Sequence, residues 1–225
     1  MKKRTAFVGA ILSLIPIGHP LIIKTGLVLS SSAVMLSLTE RVNAERTSKF
    51  YFDRGFEKGN KGDYYGAISD FTKALEINSS DANAYYNRGW NKHKIKDYYG
   101  AISDYTKAIE INPTYLDAYA NRGVAKRSLK DYYGAISDYI KAIEINPNDD
   151  DIYYNLGNAK SSLEDYYGAI SDYTKAIEIK PAADAYVNRA FSKEKIGDLK
   201  GACSDWREAF NLGYQEAALW LEEAC

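Results

Sequence analysis

The chain has 225 residues, with 29 Lys and Arg against 30 Asp and Glu, a formal net charge of −1. That balance lacks the basic excess of a nucleic-acid-binding surface, and a hydrophobic share of 46% is too high for disorder over most of the length. Only two cysteines occur, Cys203 and Cys225, which excludes a cysteine-built metal site and a disulfide-dense scaffold.

Residues 1–44 differ in character from the rest of the chain. Met1-Lys2-Lys3-Arg4 is basic, an apolar run extends from Ala6 to Ile23, and a second apolar stretch covers Leu27 to Leu38. Val42-Asn43-Ala44 then places small residues before Glu45. Basic start, apolar middle and a small-residue junction are the parts of a secretory signal, with cleavage expected after Ala44. The rival reading is a membrane anchor through residues 5–38, although Pro16, Pro20 and Lys24 interrupt the roughly 20 apolar residues that a spanning helix needs. Either reading makes the protein exported or membrane-anchored. Residues 45–47 are expected to be a polar link.

From residue 48 the chain repeats itself. Asp97-Tyr98-Tyr99-Gly100-Ala101-Ile102-Ser103-Asp104-Tyr105-Thr106-Lys107-Ala108-Ile109-Glu110-Ile111-Asn112 recurs almost unchanged from Asp63, Asp131 and Asp165, and more faintly from Asp198. Such a period means stacked units, each too small to bury its own apolar face. Within a unit, Tyr85, Tyr86, Gly89 and Trp90 fall at helical spacing, as do Tyr98, Ala101, Ile102, Tyr105, Ala108 and Ile109. Asp97 is placed to cap the second helix, and Asn112-Pro113 ends it. Each unit is therefore an antiparallel helix pair. Small residues at Gly89, Ala101 and Ala108 let its two axes approach, with Tyr85 and Tyr105 filling the gaps.

This pattern resembles the tetratricopeptide repeat, a 34-residue helix-turn-helix with aromatic, Gly, Ala and Pro at fixed places. The match runs in register over five units, 48–81, 82–115, 116–149, 150–182 and 183–216, and a capping helix is expected over 214–225. The resemblance implies an all-α fold, a right-handed α-solenoid. Two departures recur. Arg54, Arg88, Arg122 and Arg189 replace the family's Leu, which only Leu156 keeps, and Lys58, Lys92, Lys126, Lys160 and Lys193 replace a first-helix aromatic. Their stems are expected to lie over apolar surface with the heads in water. Asp70, Asp104, Asp138, Asp172 and Asp205, each one place before the second-helix aromatic, are expected to pair with cations at the surface.

The resemblance also implies a function. First helices of the family line a concave face that receives a partner's peptide, and the inward places map to three lines here. Asp53, Asn87, Asn121, Asn155 and Asn188 form the first; Phe52, Tyr86, Ala120, Tyr154 and Val187 the second; Phe56, Trp90, Val124, Asn158 and Phe191 the third. An amide carries both donor and acceptor, so an asparagine row could hold an extended main chain without reading its sequence. The competing view is that these asparagines merely satisfy groups of neighbouring helices. The expected role is a non-enzymatic scaffold with a protein or peptide partner, no nucleic acid and no cofactor; the alternative is a structural protein that self-associates through the array ends. No phosphate loop, dinucleotide fingerprint or zinc spacing occurs, and His93 is expected to be solvated or to line the groove. Asp149-Asp150-Asp151 reads as turn charge. Counting about 1.5 Å per residue from the turn near Gly213 places Cys203 and Cys225 at similar heights on antiparallel helices, so an exported chain could bridge them.

Overall fold

The computed structural model describes residues 31–225, with side chains from Ser37 onward. The chain divides into two compact units, Met1–Arg46 and Thr47–Cys225. The expected leader lies largely outside the described residues, and among the described residues no helix is long and apolar enough to cross a membrane. Of the first unit, only the start of helix α1 (Ser31–Asn60) is described, with residues 37–46 exposed. The expected polar link at residues 45–47 is helical and belongs to α1. No proline occurs between Ser31 and Asn60, so no helix breaker falls there.

The second unit is built from α1 and ten further helices: α2 (Tyr64–Ile77), α3 (Ala82–Lys94), α4 (Tyr98–Ile111), α5 (Leu116–Ser128), α6 (Tyr132–Ile145), α7 (Asp150–Ser162), α8 (Tyr166–Ile179), α9 (Ala183–Lys195), α10 (Leu199–Asn211) and α11 (Ala217–Ala224). From α2 onward each packs on the next in chain order, and α1 meets α2 through Ser48–Ala74, Arg54–Asp70 and Phe52–Phe71, which gives five helix pairs and a final helix. The start of every second helix is set by an aspartate. Asp63, Asp97, Asp131, Asp165 and Asp198 accept the amides of Gly66, Gly100, Gly134, Gly168 and Gly201 at 2.9–3.0 Å, a cap worth about 1 kcal/mol each. Asp149 does the same for α7, accepting from the Ile152 amide at 3.2 Å, so part of the expected turn charge is a helix cap.

The turn inside each pair needs one residue in the left-handed region. The outer units use Gly62 (φ 83°) and Gly197 (φ 84°), but the inner three use Lys96 (65°), Lys130 (63°) and Glu164 (62°). The Asp97 amide donates to Lys92 O and the Lys96 amide to His93 O, which closes the first helix in a Schellman motif. A side chain at that place costs about 1 kcal/mol against glycine. Lys96→Gly, Lys130→Gly and Glu164→Gly are therefore each expected to raise stability by about 0.5–1 kcal/mol, read as a higher circular-dichroism melting temperature.

The core is the expected interlock of small residues with rings. Phe71, Tyr105, Tyr139, Tyr173 and Trp206 are at most 1% exposed, and the alanines flanking them at most 2%. Close approach explains the glycines opposite: a Cβ at Gly123 or Gly157 would stand 2.7 Å from the ring of Tyr139 or Tyr173. Burying one such ring contributes roughly 2–3 kcal/mol.

The recurring aspartates correct the surface-pairing expectation. Asp70, Asp104, Asp138, Asp172 and Asp205 are 1–7% exposed. Each sits beside a buried ring at the helix–helix seam, and a side chain so short cannot reach water from there. The cations come to it instead. Arg54, Arg88, Arg122 and Arg189 each donate Nε and Nη2 to both carboxylate oxygens at 2.5–2.9 Å. Lys58, Lys92, Lys126 and Lys193 stand 2.8 Å from Oδ2 of the same groups. The basic heads thus turn inward rather than into water. Three of these arginines also reach back one unit. Arg88, Arg122 and Arg189 donate Nη1 to the hydroxyls of Thr72, Thr106 and Thr174 at 3.0–3.1 Å.

The third–fourth junction is the exception. Leu156 replaces the arginine, and Ile140 stands where the preceding unit would supply threonine. Leu156 is 4% exposed and joins Ala135, Tyr139, Ala142, Ile152 and Ala159 in one apolar cluster. Asp172 keeps only Lys160, at 2.7 Å but outside hydrogen-bonding geometry. Its carboxyl is pushed up by burial more than Lys160 pulls it down. At Asp70 the hydrogen bond from Arg54 dominates and holds the carboxyl down at about 2.

The array ends on α11. Ala217 is buried, and Trp220, Leu221 and Ala224 pack on the fifth unit, while Leu219 is 59% exposed. Trp220 lies 4.8 Å from Phe191, 6.0 Å from Trp206 and 5.8 Å from Tyr214. A disulfide joins Cys203 on α10 to Cys225 just beyond α11, with Cα atoms 5.8 Å apart.

Candidate functional site

The three lines of first-helix residues differ in what they leave free. On the asparagine line the amide nitrogens are committed. Asn87, Asn121 and Asn155 donate Nδ2 to the carbonyls of Asn83, Asp117 and Asp151, one turn earlier, at 2.8–2.9 Å. Asn121 also donates to the Tyr86 hydroxyl at 3.1 Å. Asn188 donates to the Tyr154 hydroxyl at 3.0 Å and to Asn158 Oδ1 at 2.9 Å. The view that these amides satisfy neighbouring groups therefore describes their donor halves. Among the described residues no donor reaches the Oδ1 of Asn87, Asn121, Asn155 or Asn188, and what remains is a row of acceptors. Asp53 at the head of the line is tied to Lys49 at 2.9 Å.

The aromatic lines are partly structural. Phe52, Tyr86 and Tyr154 pack on the buried rings Phe71, Tyr105 and Tyr173 at centroid distances of 5.5, 5.8 and 6.0 Å. Phe191 is held between Trp206 and Trp220. Phe56 is half exposed, and Trp90 meets Tyr64 edge-on at 6.1 Å under the Lys94 ammonium at 4.7 Å. His93 is half-buried against Tyr98, and burial lowers its pKa.

Two depressions open among these residues. The first, about 180 Å³, is walled mainly by Phe56, Phe71, Tyr86, Asn87, Trp90 and Asn91 and is largely aromatic. The second, about 360 Å³, is polar and is walled by Tyr154, Asn158, Asn188 and Phe191 together with Arg127, Ser161 and Ser162. Of the expected groove residues, Phe56, Tyr86, Asn87 and Trp90 meet at the first and Tyr154, Asn188 and Phe191 at the second; Phe52, Asp53, Asn121 and Asn155 wall neither. Arg127 and the serine pair escaped the sequence reading because they occupy the last turn of a first helix, where the inward places of the family give no cue. The signal was present all the same: the place of Arg127 holds His93 in the second unit and Ser161 in the fourth, so it varies where the second helices of these three units differ only at Ile140.

Five stacked helix pairs with a walled inner surface define an α-solenoid of the kind that serves as a protein-interaction scaffold. The chain belongs to the tetratricopeptide repeat family: models described as tetratricopeptide repeat match residues 48–81, 82–115 and 151–182, and one described as TPR repeat matches 125–163. Among solved structures, a MamA protein is 28% identical, covering 76% of this chain and 94% of its own, with a TM-score of 0.71. MamA from Desulfovibrio magneticus RS-1 (20% identity, 75% and 96% covered, TM-score 0.72) and YrrB, described as a TPR protein with an unusual peptide-binding site (20%, 86% and 98%, 0.70), share the fold. No curated protein matches the chain in sequence.

Proposed function

We propose that this chain is a non-enzymatic scaffold whose first-helix face receives an extended segment of a protein partner. The observation that carries the reading is the pair of depressions walled mainly by first-helix residues, one aromatic and one polar. The acceptor row supports it, because an extended segment brings one unpaired amide N–H per residue. The peptide-binding site described for YrrB points the same way for a protein of this fold. Export or membrane attachment, expected from the first 44 residues, belongs to the same proposal.

Selection of random dodecapeptides on the folded protein tests the reading. Peptides enriched by the wild type are expected to lose about tenfold in affinity, about 1.4 kcal/mol, on Trp90→Ala, and a similar amount on joint replacement of Asn87, Asn121 and Asn155 by alanine. Full retention of binding by both variants, with unchanged circular dichroism, would remove the groove.

A further inference from the structure

The second depression has a direction to its polarity. Two of its acceptors are consumed, while among the described residues Asn188 Oδ1 stays free as part of the acceptor row. Asn158 Oδ1 accepts from the Tyr173 hydroxyl at 2.8 Å and from Asn188 Nδ2 at 2.9 Å, and the Tyr154 oxygen accepts from Asn188 at 3.0 Å. The donors are not consumed. Among the described residues Asn158 Nδ2 makes no hydrogen bond, and the Tyr154 hydroxyl, having accepted, keeps its own proton to give.

Arg127 adds a charge. The framework arginines Arg54, Arg88, Arg122 and Arg189 are each tied to a carboxylate. Arg127 makes no ion pair among the described residues, and its Nε is buried without a hydrogen-bond partner. It lies close enough to the buried Tyr139 hydroxyl to pull down the pKa that burial raises. Among the described residues no Asp or Glu lines the depression. A half-buried guanidinium without a counter-ion is costly, and an anion that completes it forms a charge-assisted, bidentate pair.

We infer that this depression is a subsite for an acidic side chain, an Asp or Glu of the bound segment, with Arg127 as its counter-ion and Asn158 and Tyr154 as flanking donors. The inference rests on the groove reading. A side chain is favoured over a chain terminus because the acceptor row runs through the second to fifth units, so the segment's main chain passes the depression rather than ending in it.

Fluorescence anisotropy with three sets of labelled dodecapeptides tests it: amidated with one fixed Asp or Glu, amidated without acid, and acid-free with a free C-terminal carboxylate. The wild type is expected to bind the first set at least tenfold tighter than the second, Arg127→Gln to abolish that difference, and Arg127→Lys to keep part of it. Equal binding of the first two sets overturns the subsite and leaves the groove standing. Preference for the third set alone overturns the side-chain assignment. Binding of no set overturns groove and subsite together. Should Arg127→Gln not fold, the comparison of sets on the wild type still decides.

Discussion

Asp138→Asn is expected to destabilise the array by about 3–5 kcal/mol, the cost of stripping buried charges of their partner. The same change at Asp172 is expected to shift stability by less than about 1 kcal/mol in either direction. The difference lies in the surroundings. Asp138, 3% exposed, holds the Arg122 guanidinium in a bidentate pair and the Lys126 ammonium as well, and both cations are at most 20% exposed. Neutralising it leaves two cations facing one amide. Asp172 faces one lysine, which at 24% exposure can turn toward water. Urea unfolding of the two variants side by side measures the contrast, and equal losses would refute it.

The pH dependence separates in sign. Asp70 titrates in the folded chain near 2, below its ordinary 3.8, so its contribution is complete above 3.8 and fades as pH falls toward 2. Asp172 titrates above its ordinary value. Its contribution is complete only below that value and is lost as pH rises through the folded pKa, so at neutral pH its charge is a burden. Asp172→Asn should therefore gain stability relative to the wild type as pH rises from 3 to 7, while Asp70→Asn loses it.

The second large effect concerns the disulfide. It closes a loop of 22 residues, for which chain entropy gives about 3 kcal/mol. Dithiothreitol, or Cys225→Ser, is expected to lower the stability of the last helix pair by about that amount and to shift Trp220 fluorescence as α11 leaves Phe191 and Trp206. An unchanged melt with an unchanged emission spectrum would show that the aromatic cluster alone holds the end. The loss should stay near the C-terminal end, since units of such an array interact mainly with neighbours.

The helix pairs, their aspartate caps and the fit of Gly and Ala against the rings were legible because each depends on spacing within one helix or on one repeated place. The buried triads were not. A charged residue at a repeated place reads as surface by default, and Arg88 and Asp104 are 16 residues apart on different helices, joined only by packing. One cue was present: wherever the second-helix Asp recurs the Lys recurs, and the Arg does so in four units of five. The asparagine row was half legible. Its position could be read, but the loss of its donors to the preceding turn depends on rotamers. Arg127 stayed hidden because no periodic cue marks the last turn of a first helix.

The bonds from Arg88, Arg122 and Arg189 to the threonine behind each give the array a polarity that matters for its growth by duplication. A copied block joins seamlessly only when its leading arginine meets a hydroxyl and its trailing threonine meets a guanidinium. Units three and four, carrying Ile140 and Leu156, break this grammar together and form a matched couple. Shuffled separately, each would present an aliphatic stub to a polar neighbour, so the pair marks a joint that recombination can move only as one piece.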